Sequence, residues 1–137
     1  MAASLSPLAA TVNVAIGGAF GAALRYHFGR ALTAWLGAAP MSAFPFATLA
    51  VNTIGSLLMG FLAGWLAARG VGDSGQLRLL LGVGLLGGFT TFSAFSLELV
   101  LLVQRGQLAV AALYVLLSVA LGVFGLFTGL VLMRAAA

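Results

Sequence analysis

Four apolar runs, residues 12–36, 45–68, 76–104 and 107–133, fix most of what this chain can fold into. Each is near or above the ~20 residues that carry an α-helix across the hydrocarbon core of a bilayer. In that core every backbone N–H and C=O must find its partner inside the protein, so the runs predict helices and exclude open sheet edges. Composition agrees: 63% of the 137 residues are hydrophobic and only 6% are charged, where a soluble domain carries about a quarter. The runs are separated by Gly37-Ala38-Ala39-Pro40, by residues 69–75 (Arg-Gly-Val-Gly-Asp-Ser-Gly) and by Gln104-Arg105-Gly106-Gln107. Pro45 suits the first turn of the second helix, where its missing N–H costs nothing. These connections are too short to hold further domains. The expectation is an all-α membrane protein, a single four-helix transmembrane domain over residues 1–137, whose first apolar run leads into more membrane and is not a cleaved leader.

Six arginines against two acids give a formal charge of +4 and a pI near 11.3. The arginines stand singly at helix ends, which points to lipid headgroups and away from nucleic acid. With both termini on one side, that side holds Arg69, Arg78 and Arg134, and the other holds Arg30 and Arg105 with Arg25 deeper. So even a balance gives no orientation under the positive-inside rule. Insertion both ways would set two antiparallel copies against each other, as inverted repeats do within one transporter. Absence of cysteine excludes disulfides and thiolate metal sites. One histidine and two acids assemble no catalytic constellation, so the chain does not read as an enzyme.

The third run contains the anomaly: Gly87-Gly88-Phe89-Thr90-Thr91-Phe92-Ser93-Ala94-Phe95-Ser96, then Leu97-Glu98. A glycine pair followed by hydroxyls predicts a helix broken at mid-membrane, tolerated only where protein or a watery cavity covers it. Carbonyls freed there are good ligands for a hard cation such as Na⁺. The plainer alternative is a kink in which Thr90 and Thr91 bond back to the helix. Phe92 and Phe95 share a face if the helix resumes, with Ser96 on the same side. Phenyl edges are electropositive, so they can face an anion without trapping it. Thr91, Ser93, Ser96 and Ser118 can add hydroxyl donors.

Small residues recur on each helix: Gly17, Gly21 and then Arg25; Asn52, Ser56, Gly60 and Gly64; Tyr114, Ser118, Gly122, Gly125 and Gly129. Such ridges let membrane helices approach closely. Some of these faces are expected to meet a second protomer, with a homodimer the simplest case. Asn52 reads equally as interhelical glue or as a donor at a pore mouth. Arg25 and Glu98 lie farthest from the helix ends, and Glu98 is expected to pair with Arg25 or Arg105 in a structural role.

These residues together resemble the Fluc (CrcB) fluoride channels along nearly the whole chain. The resemblance rests on Gly17-Gly18-Ala19-Phe20-Gly21 with Arg25-Tyr26, on Pro45-Phe46-Ala47-Thr48-Leu49 with Asn52 and Gly55, on residues 87–96 with Glu98, and on Tyr114 and Ser118. It implies a dual-topology antiparallel homodimer in the inner (plasma) membrane, with two pores that pass fluoride by passive electrodiffusion. It implies a structural Na⁺ on the dimer axis, held by backbone carbonyls of Gly87 and Thr90 from both protomers. The fluoride-lining residues would be Phe92 and Phe95, with Asn52, Thr91, Ser93, Ser96, Tyr114 and Ser118, and Arg25 would stand at the vestibule. Ala94 departs from the family's usual threonine or serine and removes a hydroxyl; Ala47 replaces a usual glycine. The rival reading is a dual-topology antiporter, which would want a deep carboxylate in the first helix; that helix holds Arg25 and no acid. A membrane scaffold would need no such polar break.

Overall fold

The computed structural model describes residues 6–69 and 74–136, and over these the chain is helical with short connections. Helix α1 (Pro7–Leu36) starts earlier than the apolar run, because Ser6 accepts a hydrogen bond from the Ala9 N–H and proline occupies the first turn. A short α2 (Ala38–Ala43) follows Gly37, whose φ of 87° lets the chain turn off the end of α1. Helix α3 (Phe46–Arg69) begins one residue after Pro45, whose carbonyl accepts from the Leu49 N–H. The third span comprises α4 (Ser74–Leu77), a π-helix (Arg78–Leu86), the single turn α5 (Gly87–Phe89) and α6 (Phe92–Gln104). Helix α7 (Leu108–Ala136) completes the chain. Four spans, Pro7–Leu36, Phe46–Ala68, Gly75–Gln104 and Leu108–Ala136, are long and apolar enough to cross a membrane. The protein is an integral membrane protein.

The turn into α7 is compact. Gly106 lies at φ 72°, its N–H donates to the Val103 carbonyl, and the Gln107 N–H donates to the Leu102 carbonyl. This pair of bonds is the Schellman closure, which satisfies carbonyls that the helix end would leave bare in lipid. Asp73 lies outside the described residues.

The four spans pack as two pairs. The first span lies along the π-helix and α5, and α3 lies along α7, while contacts between the pairs are sparse. Glycine makes both seams. A Cβ at Gly17 would fall on the Leu80 carbonyl oxygen, and one at Gly21 on that of Leu85. Across the other seam a Cβ at Gly60 would fall on the Leu126 carbonyl oxygen, and one at Gly129 on that of Leu57. The ridges seen in the sequence therefore supply contacts inside the chain, and the case for a second protomer rests on other features. One is the exposed aromatic surface, including Phe20 at 65% and Phe92 at 79%.

Because these helices touch backbone to backbone, bulk at a seam glycine has nowhere to go. Gly60→Val and Gly129→Val are expected to cost about 1–3 kcal/mol each, read as a lowered thermal midpoint in detergent. Gly18→Ala is the control, since its Cβ would meet nothing closer than the Gly84 carbonyl oxygen at 4.0 Å. Parental midpoints in both valine variants would mean the α3–α7 seam is not closely packed.

Candidate functional site: a polar interruption beside paired phenylalanines

Between α5 and α6, Thr90 (φ −81°, ψ 159°) and Thr91 (φ −153°, ψ 121°) are extended. In a continuous helix the Thr91 N–H would bond the Gly87 carbonyl, and the Ala94 N–H would bond that of Thr90. Both donors are diverted. The Thr91 N–H donates to Asn52 Oδ1 at 2.8 Å, and Asn52 Nδ2 donates back to the Thr91 carbonyl at 3.0 Å. The Ala94 N–H donates to Thr91 Oγ1 at 3.2 Å, so Thr91 caps α6. The Gly87 and Thr90 carbonyls thereby lose their ordinary helical donors, and a backbone carbonyl is a hard oxygen ligand of the kind an alkali cation takes. Thr90 Oγ1 does bond back, to the Leu86 carbonyl at 2.8 Å, as the plainer alternative foresaw for that residue. Gly55 lets Thr90 come this close to α3, for a Cβ there would strike the Thr90 methyl.

The interruption opens on a cleft of about 270 Å³ whose walls include Asn52, Ser56, Thr91 and Phe92. From there the side chains lead along α6. The Phe92 and Phe95 ring centroids are 5.7 Å apart, and Phe95 lies 5.1 Å from the ring of Tyr114. Tyr114 is fully buried, against Leu102 and Ala111, with Phe44 edge-on at 5.5 Å. Its hydroxyl donates to Glu98 Oε2 at 2.7 Å, and Thr48 Oγ1 donates to Glu98 Oε1 at 2.7 Å. Such short bonds are what hydroxyls make to a carboxylate. Glu98 also borders a second cleft of about 220 Å³, together with Ser42 and Arg105. Two clefts thus lie at either end of a row formed by Asn52, Phe92, Phe95, Tyr114 and Glu98.

Glu98 takes hydroxyls as its partners, where the sequence suggested Arg25 or Arg105. Thr48 was the residue that reading missed as a partner: nothing in a one-dimensional pattern links a threonine near the start of α3 to an acid fifty positions later. Ser96 Oγ donates to the Phe92 carbonyl at 2.9 Å, and Ser93 Oγ lies 3.3 Å from Thr91 Oγ1. Both stay on α6 beside the phenylalanines. Among the described residues Ser118 Oγ, buried on α7, finds no hydrogen-bond partner, and neither does Arg25 Nε on α1. Arg25 makes no described bond to this row.

Glu98 joins α3, α6 and α7 through two donors. Thr48→Val and Tyr114→Phe should each destabilise the protein by about 1–3 kcal/mol, because each leaves a carboxylate oxygen short of a donor. The double variant should depart from additivity by at least about 0.5 kcal/mol, measured by unfolding in detergent as a double-mutant cycle. Strict additivity would show that the two hydroxyls do not act through one shared acid.

The comparisons with known proteins bear on the whole of this arrangement. Residues 12–130 match the family described as CrcB-like protein, Camphor Resistance (CrcB). A protein of Erythrobacter litoralis named fluoride-specific ion channel FluC is 62% identical over 131 residues, covering 96% of each chain. One of the same name from Novosphingobium aromaticivorans is 62% identical over 130 residues, covering 95% of this chain and all of its own. Another from Rhodopseudomonas palustris is 50% identical over 122 residues, 89% of this chain and 94% of its own. A match across the spans, the interruption and both clefts leaves no element of the site outside it: the chain belongs to the CrcB (FluC) family.

Proposed function

We propose that this protein is a fluoride-selective channel, not an enzyme, that exports F⁻ from the cytoplasm by passive electrodiffusion through a single transmembrane domain spanning residues 1–137. The observation that carries the reading is the row from Asn52 past Phe92 and Phe95 to Tyr114 and Glu98, with a cleft at each end. A small hard anion leaving water needs many donors in sequence. Phenyl edges, the spare Asn52 amide hydrogen and the uncommitted Ser118 hydroxyl provide them without offering any one deep trap, and the hydroxyls of Thr91, Ser93, Ser96 and Tyr114 add to them by turning from the partners they hold in this structure. The orphaned Ser118 hydroxyl supports this assignment, because a buried donor without a partner is costly unless something occupies it in the working state. Arg25 serves at the vestibule, where its guanidinium attracts anions toward the entrance.

The working unit is an antiparallel homodimer inserted in both orientations in the inner membrane, with two pores. The even distribution of arginines supports dual topology, and the exposed Phe92 ring supports a second copy packed over it. In that dimer the third span is broken at mid-membrane at Thr90–Thr91, and the two breaks face one another. Na⁺ at the axis would be held by the Gly87 and Thr90 carbonyls of both copies, the very carbonyls whose helical donors are diverted. Its charge would cancel the convergence of four carbonyl dipoles.

Purified protein in liposomes, under a K⁺ gradient with valinomycin, should release fluoride quickly and chloride negligibly, read by ion-selective electrodes. Equal release of the two anions would remove selectivity, and an obligatory proton gradient would replace the channel with an antiporter. Phe92→Ile and Phe95→Ile should slow fluoride flux by about tenfold or more while the dimer persists, a rise of about 1.4 kcal/mol in the barrier. Unchanged flux would take both rings out of the pore. The chain has no cysteine of its own, so single cysteines introduced near Arg69 should label from both faces of the membrane. Labelling from one face alone would reject dual insertion.

A further inference from the structure

The reciprocal pair between Asn52 and Thr91 carries more than packing. A peptide N–H and C=O on the same residue, both turned away from their helix, need one acceptor and one donor side by side. Among side chains the primary amide supplies both on one planar group. Asn52 does this at 2.8 and 3.0 Å, from a half-buried position on α3. Without it, the Thr91 N–H would be left unsatisfied in an apolar setting, and the acceptor that a continuing helix offers it is the Gly87 carbonyl four residues earlier. Forming that bond extends α5 by one residue and takes one carbonyl out of service.

We propose that Asn52 is the positioning residue of the cation site: by holding Thr91 out of the helix it keeps the Gly87 carbonyl, and with it the Thr90 carbonyl, available as ligands. This rests on the Na⁺ reading above and assigns Asn52 a task separate from lining the pore. One amide hydrogen serves Thr91, and the other is spare on a residue that borders the cleft beside Phe92. One side chain therefore touches both the anion route and the backbone that would hold the cation.

The test separates the two tasks. The protein is purified in N-methyl-D-glucamine chloride and titrated with NaCl at constant ionic strength, and its thermal midpoint is followed beside fluoride efflux. The unmodified protein should gain stability with Na⁺. In Asn52→Ala the half-saturating Na⁺ concentration should rise about tenfold or more, the equivalent of about one to two lost hydrogen bonds. Phe92→Ile, expected to lower flux, should keep the parental Na⁺ dependence. Asn52→Asp retains an acceptor for the Thr91 N–H and loses the donor, so it should show a smaller rise; it also decides the matter if the alanine variant does not fold. Parental Na⁺ dependence in the Asn52 variants, with flux reduced, would overturn the proposal and leave Asn52 as a pore donor alone. Absence of any Na⁺ effect in the unmodified protein would instead overturn the cation reading beneath it.

Discussion

Hydrocarbon does not hydrogen-bond, and the satisfaction of two peptide groups at Thr91 is the condition on which the junction of α5 and α6 depends. An extended residue inside a membrane span would ordinarily cost several kcal/mol for each bare N–H or C=O. Asn52 removes that cost by answering both groups at once, and Thr91 uses its own hydroxyl to start α6. The resumed helix then carries Phe92, Phe95 and Glu98 into register with Tyr114 and Thr48. Move the interruption by one residue and those side chains rotate by about 100° around the helix. The cleft, the aromatic pair and the half-buried acid therefore stand where they do because of where the extended residues are held.

The remainder of the structure is built by a cruder rule. Glycines bring backbone against backbone along two seams, with no hydrophobic drive to help in lipid. Each seam lies between a different pair of spans, and α6 extends beyond both. It is tied to α3 and α7 by the hydroxyls on Glu98 and by the rings around Tyr114. Packing sets the frame, and polar bonds set the position of α6 within it.

Much of this was legible in the residues themselves. Span number and placement follow from hydropathy alone: three of the four spans match both bounds of the runs to within three residues, and the first starts five residues earlier than its run. The threonines marked where extended backbone occurs, but the glycine pair did not: Gly87 (φ −64°, ψ −36°) and Gly88 stay helical in α5, and Gly88 serves instead to let that turn press against Gly18 of α1. Partners were harder to see. The acid at position 98 looked destined for an arginine, because charge is visible in a sequence while a hydroxyl fifty residues away is not distinguished from any other. The seams had the same ambiguity: Gly60 and Gly129 announce a close approach but do not say to what. Asn52 was equally open, since an amide's partner depends on the backbone it meets.

The order of pairing has a consequence for how the chain assembles. The first span packs with the third and the second with the fourth, so no two successive spans form a self-contained hairpin. As the chain enters the bilayer, the first two spans must each persist alone until the later ones arrive, which their apolar character allows. The finished protein is interleaved, like the fingers of two clasped hands. Cutting it between the second and third spans would leave neither half with a complete seam, and each would be a fragment whose missing face is supplied only by the other.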